Sequence, residues 1–419
     1  MKILMIAPQP FFEPRGTPIS VYQRVNALSK LGHEVDLVTY HLGESPDIPN
    51  VHIHRTIPVP FVNQIKIGPS WIKPILDVLV FFKSFLLLVR GRYDVIHTHE
   101  EAAFFGYFLA PLFQVPHLYD MHSSLPRQLE SFGVGNFWPL KQIFAWFENA
   151  VISSCAAVIT IDSELADRVK QINPNVKHMN IENTAVSFSA ATSSAEISTA
   201  EQIKDRLNLH DRTSVIYTGT FEKYQGLDLV VRSVAAVKDR HPTVKYVMVG
   251  GKPHQVQELQ DLTDELGLGE WIVFTGMVSP EESLVFLEVA DVLFSSRIEG
   301  TSVPLKVYSY LHAAKPIVAT NLEAHTQVFN HNVSVLVDPT VEGMSAGVID
   351  LLDSPDLMAR LAAAAGRYAE EHYSVGSYLR KVENIYKQVE TPVLPTHMGK
   401  NRPLTPPPGH SYEIQVDET

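Results

Sequence analysis

Residues 295–320 read SSRIEGTSVPLKVYSYLHAAKPIVAT. A short apolar run, 291–295 (DVLFS), leads into this stretch, and 316–320 (PIVAT) ends it with another run of strand length. Between them Gly300 permits an unusual turn and Pro304 starts a helix that carries Lys306. A strand, a helix and a second strand in this order form a crossover unit, in which the strands lie parallel.

The same alternation extends in both directions. Downstream of residue 212 the strand candidates are 214–218 (SVIYT), 245–249, 271–275, 291–295, 316–320 and 334–337. Within this series Ser279-Pro280-Glu281-Glu282 combines an N-cap, a proline at the first helical position and a glutamate at the third. Upstream stand 2–7 (KILMIA), 34–40 (EVDLVTY), 94–98 (DVIHT), 117–120 and 157–161 (AVITI). After the first of these, Thr17 suits an N-cap and Pro18 the first helical position. Ile19, Tyr22, Val25 and Leu28 follow at helical spacing, and Gly32 stands where a left-handed cap belongs. Two strand–helix series imply two doubly wound parallel sheets, each covered on both faces. The stretch 187–200, rich in Ser and Ala with no apolar period, marks the region of the junction between them.

Length and composition agree with that division. The 419 residues suit two or three domains, and 45% hydrophobic with 19% charged residues is a globular balance. A formal charge of −12 disfavours nucleic acid as a partner. The single cysteine, Cys155, excludes an intramolecular disulfide and any Cys-based zinc cluster, and it fits a reducing cytosol. The apolar start of the chain is too short for a signal peptide and reads as a strand. Asp77 and Lys83 interrupt the longest apolar stretch, 74–89, so it is not expected to span a bilayer. Six prolines and little apolar periodicity give 391–419 the composition of a disordered tail.

Loops that follow strands are where such sheets bind ligands. The loop Pro14-Arg15-Gly16-Thr17 leads into a helix N-terminus, whose amides attract phosphate; it also reads as an ordinary capped turn. It matches neither a dinucleotide-binding nor an ATP-binding fingerprint. His97 and His99 lie two apart at the end of one strand and His122 closes another. That spacing suits a metal, but one histidine facing the cleft, with the others held by local hydrogen bonds, is favoured. Residues 61–92 carry Lys66, Lys73, Lys83, Arg90 and Arg92 against Asp77 alone, with Trp71, Phe81, Phe82 and Phe85 interleaved. They read either as a helix covering the sheet or as one lying on an anionic membrane surface. In 295–320, Glu299 just past a strand can hold sugar hydroxyls while helix amides hold phosphate; a capped loop with an incidental acid is the plainer alternative.

The chain resembles the family-4 retaining glycosyltransferases of the two-domain GT-B fold, over roughly residues 1–390. Glu299 and 314–320 (AKPIVAT) are similar to the family's donor segment, in which a Glu, seven residues and a second Glu precede GKPVVAT. The second Glu is absent: Val307 stands eight positions after Glu299, and Ser309 falls there when the segment is aligned from its end. Residues 217–221 and 225–228 resemble the loop whose Arg and Lys grip the diphosphate, with Thr220 and Gln225 in place of those two bases. Further similar stretches are 94–99 (DVIHTH), 158–164 (VITIDSE), 183–185 (NTA) and 248–251 (MVGG).

The resemblance implies an N-terminal, acceptor-side domain at 1–186, a junction at 187–205 and a donor domain at 206–373. A helix at 374–390 would pack back on the first domain, and the tail would follow from 391. It further implies transfer of a sugar from a nucleotide-diphosphate sugar to a glycan, lipid-linked or small-molecule acceptor, in the cytoplasm or peripherally on the inner membrane face. Glu299 and His122 would be the catalytic residues, the first holding sugar hydroxyls and the second beside the anomeric carbon. Arg15, Gly16, Thr17, His99, Asn183, Gly219, Thr220, Lys223, Gln225, Arg297, Gly300, Thr301, Lys306 and Ser309 would line the substrates. The chain contains no Asp-x-Asp pair of the kind that holds a divalent cation in transferases of another fold, and no metal or other cofactor is expected. A nucleotide-sugar epimerase of the same fold, or a catalytically degraded sugar- or lipid-binding relative, are the alternatives.

Overall fold

Runs such as KILMI and VLFS are largely apolar and buried on both faces, which suits strands sandwiched between two helical layers. The computed structural model describes residues 1–12, 16–62, 65, 72–124, 138–182 and 197–390. Its first sheet holds β1 (Lys2–Ile6), β2 (Glu34–Thr39), β3 (Val51–Arg55), β4 (Val95–His99), β5 (His117–Met121), β6 (Ala157–Thr160) and β7 (Lys177–Asn180), in the spatial order 3-2-1-4-5-6-7. Its second holds β8 (Thr213–Thr218), β9 (Val244–Val249), β10 (Ile272–Gly276), β11 (Val292–Ser295), β12 (Ile317–Thr320) and β13 (Val335–Val337), in the order 10-9-8-11-12-13. Every pairing within the two sheets is parallel. The strand order reverses between β1 and β4 and again between β8 and β11, so each sheet opens a crevice beyond its strand ends there.

Two strands were not expected from the sequence. Both β3 (VHIHR) and β7 (KHMN) are sheet edges, partly exposed and without a continuous apolar run. The first helix, Gly16–Lys30, begins before Thr17, so Thr17 is a helical residue rather than the N-cap, and Pro18 stands two residues deeper than expected. Proline is tolerated there because the first turn's N–H groups lack intrahelical partners in any case. Gly32 adopts a φ of 80°, and the bonds Gly32 N–H to Ser29 O and His33 N–H to Leu28 O complete a Schellman cap. Ser279 does cap the helix Pro280–Val289, accepting the Glu282 N–H at 3.0 Å. The helix expected from Pro304 starts at Lys306 and runs to His312.

The helix Ala200–Leu207 overlaps the end of the stretch 187–205 expected as the junction, whose residues 187–196 lie outside the described residues. Thr199 and Gln202 form a capping box for the helix Ala200–Leu207, and Ile203 is buried in the core of the second sheet, so this helix belongs to the second domain. The helix Pro355–Tyr373 also packs there, through Leu361, Ala365 and Ala369. The chain then turns at Ser374, whose hydroxyl accepts the Ser377 N–H, and the helix Val375–Glu390 joins the first domain. Tyr378, Val382, Ile385 and Tyr386 enter one core with Ile3, Met5, Val25, Leu28 and Leu118. That face of the first sheet is therefore covered by the helices Gly16–Lys30 and Val375–Glu390. Helices Lys73–Arg90, Ala103–Phe113 and Trp138–Ser154 cover the other face. Arg15, Asn183 and the tail 391–419 lie outside the described residues.

Candidate active site

Alternation along β4 and β5 places His97, His99, Asp120 and His122 on one face of the sheet, and the pairing of His99 with Asp120 brings them together. This polar strip continues a core that is otherwise apolar, so it must be closed by polar groups from the covering helices. Arg24, from the first helix, donates its Nε–H to Asp120 Oδ2 at 2.9 Å, both side chains being almost wholly buried. His97 Nε2 lies 3.3 Å from the same oxygen, and its Nδ1 hydrogen-bonds the Tyr386 hydroxyl of the last helix. His122 Nε2 stands 3.1 Å from Asp120 Oδ1, an ion-pair distance off the hydrogen-bond axis. The His97 and His99 rings stack at 4.6 Å, and both His99 nitrogens are buried without a hydrogen-bond partner among the described residues. Burial opposes the charge of Asp120, but Arg24, His122 and His99 outweigh it and hold the carboxyl well below its usual range. Burial likewise lowers His97 and, further, His99, against the pull of Asp120.

Immediately after β4, Glu100 takes a φ of 49°, unusual for a residue with a side chain, and meets Thr17 Oγ1 at 3.3 Å. Glu101 beside it is pushed up to about 8 by burial and by the neighbouring Glu100 and Asp77.

The second domain supplies cations. Lys306 opens the helix Lys306–His312, and its Nζ is buried above the Tyr217 ring, 3.7 Å from the centroid, with no hydrogen-bond acceptor among the described residues. Burial, and then the nearby Arg297 guanidinium, lower this ammonium well below the usual lysine range. Gly219 follows β8 with a φ of 142°; a Cβ there would lie 3.2 Å from the Tyr217 hydroxyl and 3.7 Å from Lys306 Nζ, so the glycine leaves this side of the ammonium bare. Arg297 spans the turn after β11, donating Nε–H to Glu299 O at 2.7 Å and Nη1–H to Ser302 O at 2.8 Å. Its guanidinium covers the Tyr224 ring at 4.9 Å. The Glu299 carboxylate is exposed and makes no hydrogen bond or ion pair among the described residues. Behind the turn His325 bridges Ser295 Oγ (2.8 Å) and Thr320 Oγ1 (3.0 Å), tying together the ends of β11 and β12; burial lowers it to about 4.

Comparison with known proteins assigns both halves. A family model described as Glycosyltransferase Family 4 matches residues 14–183, and one described as Glycosyl transferases group 1 matches residues 199–368. The chain belongs to the group 1, family 4 glycosyltransferases. An uncharacterized glycosyltransferase of Methanocaldococcus jannaschii is 24% identical over 92% of this chain and 98% of its own. A phosphatidyl-myo-inositol mannosyltransferase of Mycobacterium leprae is 24% identical over 93% and 98%. The crystal structure of Anabaena HepE in complex with UDP superimposes with a TM-score of 0.70 at 16% identity, over 92% of this chain and 100% of that one. The two-sheet architecture is thus the GT-B fold.

In this glycosyltransferase the expected site residues form two groups. Thr17, His99 and His122 gather at the ends of β4 and β5. Gly219, Arg297, Gly300 and Lys306 gather at the ends of β8 and β11. Gln327 links the two domains, donating to Thr301 O at 2.7 Å and accepting from Ser163 Oγ, at the start of the helix Ser163–Ile172, at 3.3 Å. Thr220 and Lys223 are exposed on the loop after β8, whereas Gln225 is buried behind it with its Oε1 unpartnered. Ser309 lies within the helix Lys306–His312, partly exposed. Gly16 opens the first helix.

Arg24, Tyr386 and the Lys306–Tyr217 pair were not singled out from the sequence. A signal existed for Arg24: a charge on the apolar face of a helix, between buried Val21 and Val25. Ligand atoms of His97, His99 and Asp120 lie within 4.8 Å of one another, a spacing open to a cation. The Arg24 guanidinium already occupies Asp120 Oδ2, however, and its charge opposes a second cation there.

Proposed function

We propose that the chain is a retaining, metal-independent transferase that takes its sugar from a nucleotide-diphosphate sugar. The observation that carries this is the buried, unpartnered ammonium of Lys306 beside the gap at Gly219. A buried cation without a partner is costly, and a diphosphate is the group that would satisfy it. Lys306 and Arg297 then replace the two charges missing at Thr220 and Gln225. Solved structures of HepE with UDP and with UDP-glucose, on the same fold, support a donor of this class.

Breaking the anomeric C–O bond leaves negative charge on the diphosphate and positive charge on the sugar. Lys306 and Arg297 stabilise the first. Glu299 accepts hydrogen bonds from sugar hydroxyls, and His122, backed by Asp120, lies against the reacting face. The first domain receives the acceptor and the second holds the donor, and closure of the cleft keeps water from the anomeric carbon. The acceptor is a glycan or a lipid-linked sugar at the cytoplasmic side of a membrane, as the basic, aromatic helix Lys73–Arg90 suggests.

The test is thermal shift and calorimetry against UDP, GDP, ADP and TDP and their sugars, in EDTA, followed by NMR of the product's anomeric configuration. One nucleotide should raise the melting temperature by mass action. Binding by none, or turnover only with added divalent metal, overturns the proposal.

A further inference from the structure

Three helices that cover one face of the first sheet form a continuous apolar outer layer. Phe85 of the helix Lys73–Arg90 meets Phe113 of the helix Ala103–Phe113 at 5.6 Å between rings, and Phe108 meets Phe147 of the helix Trp138–Ser154 at 6.4 Å. On the outside of this layer Phe82, Val89, Leu112 and Trp146 are each at least 60% exposed. Single exposed apolar residues are ordinary on any protein, but a patch that runs across three adjacent helices marks a docking surface.

The charged side chains that these helices leave toward solvent among the described residues are basic. Arg90, and Arg92 just beyond it, are exposed, and Lys83 is partly so. The two acids of these helices among the described residues turn inward. Asp77 accepts from the Tyr40 hydroxyl at 2.5 Å, and Glu148 is buried against Arg168 and Ser124. The helix Ala103–Phe113 carries no charged residue at all. A basic, aromatic face on a chain of charge −12 is complementary to an anionic surface. Two copies meeting through this face would bring Lys83 and Arg90 against their own kind. No helix among the described residues is long and apolar enough to cross a membrane, so the layer can lie on a bilayer but not in it as a span.

We propose that the outer face of these three helices docks on the surface of an anionic lipid bilayer. Phe82, Val89, Leu112 and Trp146 enter the headgroup–acyl boundary, and Lys83, Arg90 and Arg92 contact lipid phosphates. The surface extends beyond the single helix named above as the membrane contact, and it stands independently of the donor chemistry.

The experiment is co-sedimentation of the full chain with vesicles of phosphatidylcholine alone and of phosphatidylcholine mixed with phosphatidylglycerol. The chain should pellet with the mixed vesicles at low salt, be released by high salt, and pellet far less with phosphatidylcholine alone. The pairs Lys83→Glu with Arg90→Glu, and Phe82→Ser with Val89→Ser, should each lower vesicle partitioning by about tenfold or more. Both keep an unchanged circular-dichroism melt, because the altered side chains are at the surface. Donor hydrolysis in solution should be the same in both variants, so loss of docking is distinguishable from failure of the transferase chemistry. Equal pelleting of wild type and variants, no pelleting with the anionic vesicles, or a stable dimer dissolved by Phe82→Ser with Val89→Ser would each overturn the proposal.

Discussion

The Asp120 carboxylate stands 3.1 Å from His122 Nε2 while its other oxygen holds the buried Arg24 guanidinium at 2.9 Å. One carboxylate thus stands beside His122 and neutralises a cation that could not be buried alone. Asp120→Asn should cost about 3–5 kcal/mol of stability, because Arg24 is left charged and unpaired. Adding Arg24→Met should restore much of that stability. It should not restore turnover, which is expected to fall by about a hundredfold or more in both variants. Paired urea melts and rate measurements decide it; recovery of activity along with stability would make Asp120 a purely structural residue.

Lys306→Met should separate binding from stability in the opposite sense. Removing a charge-assisted contact of about 1.5–3 kcal/mol weakens the nucleotide about tenfold to a hundredfold. The free protein should melt no lower, since a buried ammonium without an acceptor is unfavourable. Burial and the Arg297 guanidinium hold the Lys306 ammonium low and a bound diphosphate opposes both, so nucleotide affinity should fall as pH rises in the wild type and much less in the variant. Calorimetry across a pH series compares the two.

Glu101 gives the stability a pH dependence. Its folded value is raised to about 8 from 4.5. Between those values the unfolded chain has released a proton that the folded chain retains, so this group's contribution falls as pH rises through the window. Below it, both states are protonated and the contribution is level. Glu101→Gln should therefore raise the melting temperature more at about pH 8 than at about pH 4. A gain that is the same at both ends would show that Glu101 does not titrate in this range.

Glu299→Ala should leave the fold alone, with stability within about 0.5 kcal/mol of wild type, as for other exposed positions. Turnover per unit of substrate should fall about tenfold to a hundredfold through lost contacts to sugar hydroxyls. Nucleotide alone should bind as before. If nucleotide affinity fell with turnover, the carboxylate would belong to the base or ribose subsite instead.

The interior strands were legible because both their faces are buried, so each appears as an unbroken apolar run between helical stretches. The edges β3 and β7 were not: VHIHR and KHMN are half exposed, and nothing in their composition separates them from loop. The candidate site could be proposed from sequence where one motif carries it, as around Glu299, beside which the structure sets Arg297 and Gly300. It was not legible where distant strands and helices assemble it. His97 and Tyr386 are 289 positions apart, and only the return of the last helix to the first sheet makes them neighbours. Lys306 was visible as a base on a helix, but its burial over Tyr217 depends on the pairing of β8 with β11.

The return of the helix Val375–Glu390 also brings the far end of the chain up to the histidines. After the turn at Ser374 the helix is embedded in the core of the first domain through Tyr378, Val382, Ile385 and Tyr386. Tyr386 hydrogen-bonds His97 inside the histidine strip, so any change in the seating of this helix is felt directly at the chemistry.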